Sequence, residues 1–381
     1  MNVLTSKFRY GAAISLMGLS LLSGSTLGVE DVLNTPSVES KLASESLLLD
    51  VDLSGNRVVA VGARGHALYS DNEGKTWKQA KVPVSVLLTA VDFVVENRGW
   101  AVGHSGVILK TVDGGINWDK QFDGDQANKM IITQSEHRLA EMQLELETVP
   151  EEESEDLQYE VEEAAFAVED ARSDAQVGAS KPLLDVLFSS TKEGFTVGAY
   201  GYFFKTADGG ETWGNYGDRI DNPDRFHLNA INSIQGGAIF IVGEGGIIFR
   251  STDNGESWEA LDSPYTGSFF GVTGTNDANV VLVFGLRGNI YRSEDAGDSW
   301  VKIEVATESS MLSAAVNKFE KITLVGTAGS VLLSNDGGRT FTETIRGNRL
   351  GNASAIYVQS SHVVMVGEAG INITDPSGTN L

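Results

Sequence analysis

One pattern recurs along nearly all of the chain after residue 45 and decides what the chain can fold into. An apolar strand leads into Val-Gly-x-x-Gly, a second apolar strand follows, and then comes Ser/Thr-x-Asp-x-Gly-x-Ser/Thr-Trp, with Asn for Asp in the first copy. That last element occupies Ser70 to Trp77, Thr111 to Trp118, Thr206 to Trp213, Ser251 to Trp258, Ser293 to Trp300 and Ser334 to Phe341. A worn seventh copy begins at Thr374 and meets the end of the sequence. The first residues of successive copies are 41, 95, 45, 42, 41 and 40 positions apart, so one interval holds a repeat plus about 54 further residues. A period of roughly 40–45 residues filled with short strands is the spacing of propeller blades. The expectation is an all-β fold: a seven-bladed β-propeller with Asp-box repeats and one insertion.

Each unit divides into four strands. In the second, Leu88 to Val94 is the inner strand, followed by Gly99 to Val102, Val107 to Lys110 and an outer strand beginning near Trp118. The paired glycines make a tight hairpin between strands two and three, where unusual backbone angles and close approach are needed. The Asp-box links strands three and four. Its Asp or Asn side chain accepts backbone N–H groups inside the loop, and its aromatic packs between sheets. These acidic residues therefore belong to the fold and not to a catalytic site. The seventh unit runs out after strands near Ala353–Val358, Val363–Val366 and Ile371–Ile373. The stretch before Leu47 is placed to supply its fourth strand and close the ring.

Composition narrows the function. There is no cysteine, which excludes a disulfide framework, a thiolate zinc site and a cysteine nucleophile. A formal net charge of -24 opposes binding to nucleic acid, whose phosphates need lysine and arginine in number. Lys7 and Arg9 precede an apolar run from Gly11 to Leu22, and small residues then approach Gly28. Residues 1–28 read as a signal peptide, because about 12 apolar residues fall short of the roughly 20 that span a bilayer. The expected location is the periplasm, with residues 29–381 forming a soluble propeller.

The long interval places the insertion, about residues 125–180, between the second and third blades. Asn128 to Glu147 carries Ile132, Leu139, Met142 and Leu146 near one face, Pro150 interrupts, and about Ser154 to Arg172 repeats the helical pattern. A helical hairpin is expected on the side of the Val-Gly-x-x-Gly turns, opposite the Asp-boxes. Between Glu136 and Asp170 there are 14 acidic residues against Arg138 alone. Repulsion of that density lowers helix stability, so the arm either stays a solvated decoration, forms a lid or binds a partner.

The pairing of Val197-Gly198 and its partner Gly201 with Asp208-Gly209-Gly210-Glu211-Thr212-Trp213, and its copies, resembles the photosystem II assembly and stability factor family within the wider BNR/Asp-box class. The resemblance covers about residues 45–375 apart from the insertion. It implies an exported, non-enzymatic seven-bladed propeller that assists a membrane protein; similar proteins occur in non-photosynthetic bacteria, some linked with transporters. Candidate binding residues lie between the paired glycines: Arg64, His104, Tyr200, Glu244, Arg287 and Glu368. A second series, Lys110, Lys205, Arg250 and Arg292, sits just before the Asp-boxes and suits either salt bridges between blades or a basic patch. The family's use of an arginine-rich surface makes Arg250, Arg287 and Arg292 the nearest candidates for partner contact.

The function expected is therefore a scaffold or assembly factor binding a membrane protein or envelope complex, with self-association through the insertion as an option. No cofactor, metal or nucleic acid is expected. The alternative is a carbohydrate-active enzyme, which needs two facing carboxylates. Glu244 and Glu368 are on the right face, but no spacing pairs them.

Overall fold

The structure, a computed structural model, describes residues 31–150, 154–358 and 362–381. The expected signal peptide lies outside the described residues. Seven antiparallel sheets follow one another along the chain, six of four strands and the last of three, each in simple up-and-down order. Blade 1 spans 48–79, blade 2 88–122, blade 3 183–215, blade 4 228–260, blade 5 269–303, blade 6 311–345 and blade 7 352–374. The seven-bladed propeller predicted from the repeat is the observed fold.

The core lies between the blades and not inside any one of them. Among the described residues there are seven apolar clusters, and each joins one blade to the next. Trp100 of blade 2, for instance, stacks on Phe188 of blade 3 with ring centroids 3.4 Å apart. A single twisted sheet has two apolar faces and cannot bury either alone, so the ring is the smallest unit that hides them all.

The sequence motifs set the spacing between these layers. In each Val-Gly-x-x-Gly turn the first glycine is fully extended, so its need is for space and not for a special angle. A Cβ on Gly103 would lie 2.3 Å from the Leu87 carbonyl oxygen. That carbonyl accepts the next N–H, from His104, at 2.8 Å, and the other six turns repeat the bond. In the Asp-boxes the demand is different. The box glycine of blade 4, Gly255, has φ +78° and faces the Phe195 ring of blade 3. The box closes on itself: Ser251 Oγ accepts the Gly255 N–H, and Asp253 Oδ1 accepts the Ser257 N–H at 2.9 Å. Hydrogen bonds from the Ser257 hydroxyl and N–H, then Ser251, hold the Asp253 carboxyl down at about 2. The box acids are structural, as the sequence reading held.

Ring closure departs from expectation. The described residues before Leu48 add no fourth strand to blade 7. Residues 32–46 instead run along the turn end of the ring, where Ser44 packs on Gly370 of the blade 7 turn and Ala43 joins the cluster between blades 7 and 1. The fourth position is taken by the C-terminal segment: Asp375 organises a turn, Leu381 N–H bonds the Ile373 carbonyl, and Thr374 bridges Asn380. The physical reason is that the worn seventh box still has its Asp and Gly, so it turns the chain back as the other boxes do.

Arg346 fixes this end. It is only 6% exposed, and its guanidinium bonds Asn372 at 3.0 Å and Asn380 at 2.8 Å. Burial lowers its pKa. Replacing it by Ala strands the amides of buried Asn352 and half-buried Asn372 and opens a void, so Arg346→Ala should reduce stability by about 2–4 kcal/mol in urea unfolding. Unchanged stability would show that blade 7 is closed by apolar packing alone.

The insertion is a pair of helices, α1 (Gly124–Leu146) and α2 (Glu155–Val177). It agrees with the expected hairpin, but α1 begins four residues early. Asp123 and Gln126 form a capping box, which satisfies N–H groups left free at the helix start. No helix among the described residues is long and apolar enough to cross a membrane.

Candidate binding face

The turns between second and third strands gather at one end of the propeller. Each is a single tight turn whose third residue falls in the left-handed region in blades 1–6: Arg64 (φ 57°), Ser105 (60°), Tyr200 (57°), Gly245 (66°), Arg287 (56°) and Ala328 (55°). Glycine adopts that conformation freely, as blade 4 does, whereas a larger residue there is strained by about 1 kcal/mol. Arg64, Tyr200 and Arg287 hold long side chains at this price-bearing position and remain exposed. His104, Glu244 and Glu368 occupy the second place in their turns, so the six residues named from sequence belong to two structurally different positions.

The connections between blades add to the same end. Arg225 (φ 52°) lies against Gly201 of the blade 3 turn, and Arg349 (φ 53°) lies with its Cα 3.0 Å from where a Cβ on Gly329 would stand. Both are exposed. The turn face therefore presents Arg64, Arg225, Arg287 and Arg349 together with Tyr200, on a chain whose net charge is -24. Arg225 approaches Asp170 of α2 at 3.9 Å; Arg64, Arg287 and Arg349 have no carboxylate partner among the described residues. Sequence reading missed Arg225 and Arg349 because they stand outside the repeated motif.

The two carboxylates named from the turns of this face, Glu244 and Glu368, are already occupied. Glu244 accepts the His227 N–H at 3.3 Å and Glu368 accepts the Gly351 N–H at 3.1 Å, each bracing its own blade. They stand in blades 4 and 7, and the structure does not bring them together.

Arg250 and Arg292 lie at the opposite end, beside the Asp-boxes. Arg250 reaches the blade 5 box through Asp298 at 2.7 Å and the Ala296 carbonyl, and also pairs with Glu259. Arg292 donates to the Gly337 carbonyl of the blade 6 box at 2.9 Å and pairs with Glu294. Lys110 and Lys205 make the same step to Glu211 and Glu256. The series thus forms clamps from blade to blade, the first of the two roles that its spacing allowed.

The arm rises from the turn face. Asn128 of α1 donates to the Gly178 carbonyl and accepts from the Tyr202 hydroxyl, and Asn215 of blade 3 donates to Gln134 at 2.8 Å. Between arm and blade 3 is a cleft of about 310 Å³ whose lining includes Arg138, Lys181, Tyr200, Asn222 and Arg225. Lys181 lies over the rings of both Tyr200 and Tyr202 and pairs with Asp174 at 2.5 Å. Tyr200 also meets the His227 ring edge-on at 4.8 Å.

Through the middle runs a channel cavity of about 360 Å³ walled by the first strands. The channel edge of an innermost strand has N–H groups with no neighbouring strand. Acids from the preceding blade satisfy them: Asp50 accepts Val91 N–H at 2.8 Å, Asp92 accepts Phe188 N–H at 2.7 Å and Asp185 accepts Ile231 N–H at 2.8 Å. Asp52 does the same for Phe93. Enclosure by the ring pushes Asp50 up to about 6 and Asp52 and Asp185 up to about 7. Asp92 rises well above the carboxylate range, through enclosure first and the Asp52 charge second. These four residues carried no repeat signal and were not singled out from sequence. No group of three or more metal-ligating side chains occurs among the described residues.

Residues 68–144 and 165–308 match the family model described as photosynthesis system II assembly factor YCF48. The chain belongs to the YCF48 family. A curated relative, the chloroplastic photosystem II stability/assembly factor HCF136 of Cyanidioschyzon merolae, is 42% identical over 48 residues. That match spans 12% of this chain and 11% of HCF136. Among solved structures, YCF48 bound to D1 peptide aligns with a TM-score of 0.59 at 16% identity, covering 87% of this chain and 93% of that one. YCF48 from Cyanidioschyzon merolae gives 0.59 at 15% identity, with 87% and 96% covered. Virginiamycin B lyase from Staphylococcus aureus gives 0.60 at 10% identity, with 86% and 94% covered. At such identities the likeness speaks for the propeller alone.

Proposed function

We propose that this protein is a non-enzymatic scaffold, exported to the periplasm, that holds an exported acidic segment of a membrane protein on its turn face and so assists assembly or transport. The observation that carries the reading is the set of exposed arginines held in left-handed conformation at one end of an acidic protein. Strain kept at Arg64 and Arg287, where glycine would serve the turn better, points to a use for the side chain. Guanidinium groups without carboxylate partners suit an anionic segment, since planar donors grip carboxylates in pairs. The solved YCF48 bound to D1 peptide supports the general class of partner. Export rests on the charged and apolar pattern of residues 1–28.

The test is recovery of partners from the native envelope. Wild-type protein should retain a membrane protein in a salt-sensitive manner, and the Arg64→Glu, Arg287→Glu, Arg349→Glu triple variant should retain about tenfold less or worse. Equal recovery by both proteins would sink the turn-face reading.

A further inference from the structure

The arm carries a surface that the turn face does not explain. Along α2 the same seven-residue pattern repeats: acid pairs at Glu155–Asp156, Glu162–Glu163 and Glu169–Asp170, with aromatic residues at Tyr159 and Phe166. Residues seven apart on a helix lie on nearly one line. Tyr159 and Phe166 thus form a single row, with Glu155, Glu162 and Glu169 along one side and Asp156, Glu163 and Asp170 along the other. The row faces away from α1, because the seam between the helices is built from Ala164, Val168 and Ala171, all buried. Tyr159 and Phe166 are 63% and 68% exposed.

We propose that this outer face of α2 is a docking site for a basic amphipathic helix of a partner protein, one with apolar residues at heptad spacing and lysine or arginine beside them. Such a helix would lay its apolar row on Tyr159 and Phe166 and set its cations against the two acid rows, as flanking charges do in coiled coils. Charge selects this occupant over a second copy of the same face, which would set six carboxylates against six. The seven-residue register selects a helix over an extended basic segment, whose side chains repeat every two residues. The arm is held for the purpose: its base is fixed to blade 3 by the Tyr202–Asn128 and Asn215–Gln134 hydrogen bonds, and Arg172–Glu136 ties one helix to the other at 2.6 Å. The site goes beyond the turn-face function and does not depend on it: of the turn-face arginines only Arg225 approaches it, at Asp170, and Arg64, Arg287 and Arg349 make no ion pair with it.

The experiment uses the full-length mature protein and three synthetic three-heptad peptides. One carries leucine at the apolar positions with lysine flanks, the second the same leucines with glutamate flanks, and the third the lysine peptide with its order scrambled. Calorimetric titration should show binding of the first alone, weakening as salt rises. The variant Tyr159→Ser with Phe166→Ser keeps every charge and alters only exposed positions, so its melting curve should match wild type. It should bind the lysine–leucine peptide at least about tenfold more weakly, as loss of two aromatic anchors implies. Glu162→Lys with Glu163→Lys should weaken it similarly. Equal binding of the scrambled peptide, or an unchanged affinity in the serine variant, would reduce the face to a nonspecific polyanion and overturn the proposal. Dimerisation of the wild-type protein in sedimentation equilibrium, lost in the serine variant, would assign the face to a second copy and overturn it as well. The Arg64, Arg287 and Arg349 variant should bind the peptide normally, which separates this result from the envelope-recovery test.

Discussion

Gly255→Ala should destabilise the protein by about 2–4 kcal/mol, while Gly237→Ala should cost about 1 kcal/mol. Both glycines have positive φ, +78° and +84°, so the backbone strain of a new methyl group is common to the two. Only their surroundings differ. A Cβ on Gly255 would lie 2.3 Å from Cζ of Phe195, a ring fully buried in the interface between blades 3 and 4. A Cβ on Gly237 would meet nothing within 4 Å. The difference between the two losses, read by urea unfolding, isolates the packing of an Asp-box against the preceding blade. Equal losses would mean that the box glycine serves its own loop only, and that the blades are not spaced by it.

The pH dependence of stability should be falling, and not flat, from about pH 4 to about pH 8. Asp50, Asp52 and Asp185 have folded pKa values raised from 3.8 to about 6, 7 and 7, and that of Asp92 is also raised. In this window the folded ring holds protons that the unfolded chain has lost. Their contribution is therefore complete below the unfolded pKa and disappears as pH rises through the folded values. Because all four residues are only half-buried, and Asp50 and Asp185 line the channel, water moderates the effect to about 2–4 kcal/mol in total. The Asp-box acids act in the opposite sense. Asp253, Asp295 and Asp336 are lowered to about 2, so their contribution is present above pH 4 and lost as pH falls toward 2. Stability should consequently peak near pH 4–5. Asp92→Asn keeps an oxygen to accept the Phe188 N–H and removes the charge, so it should flatten the alkaline limb. A wild-type protein that gains stability between pH 5 and pH 8 would contradict the enclosed-ring account.

The site was less legible than the fold, for a reason visible in individual residues. Gly103, Gly255 and the boxes recur in phase because every blade needs the same spacing, and a need repeated seven times is readable. Arg225 and Arg349 stand in connections of irregular length, so no phase marks them. Asp50, Asp92 and Asp185 sit on inner strands in three blades, while other blades use Asn232 or the Ser313–Ser354 pair for related contacts. A ring assembled from different residue types leaves no pattern to find. The capping box at Asp123 and Gln126 was missed although it is a local signal with the right spacing, and for that reason the helix was expected four residues late.

The sequence by itself determined the propeller, the number of blades, the place of the insertion and the structural use of the box acids. Each follows from short-range patterns: period, turn chemistry and apolar alternation. Only the tertiary structure decided how the ring closes, which arginines share one end, and that Arg250 and Arg292 clamp blades at the other. Those facts depend on contacts between residues about one repeat or more apart along the chain. Closure turned on whether the worn seventh box could still bend the chain, and Asp375 with Gly378 could, which left residues 32–46 free to run along the turn face.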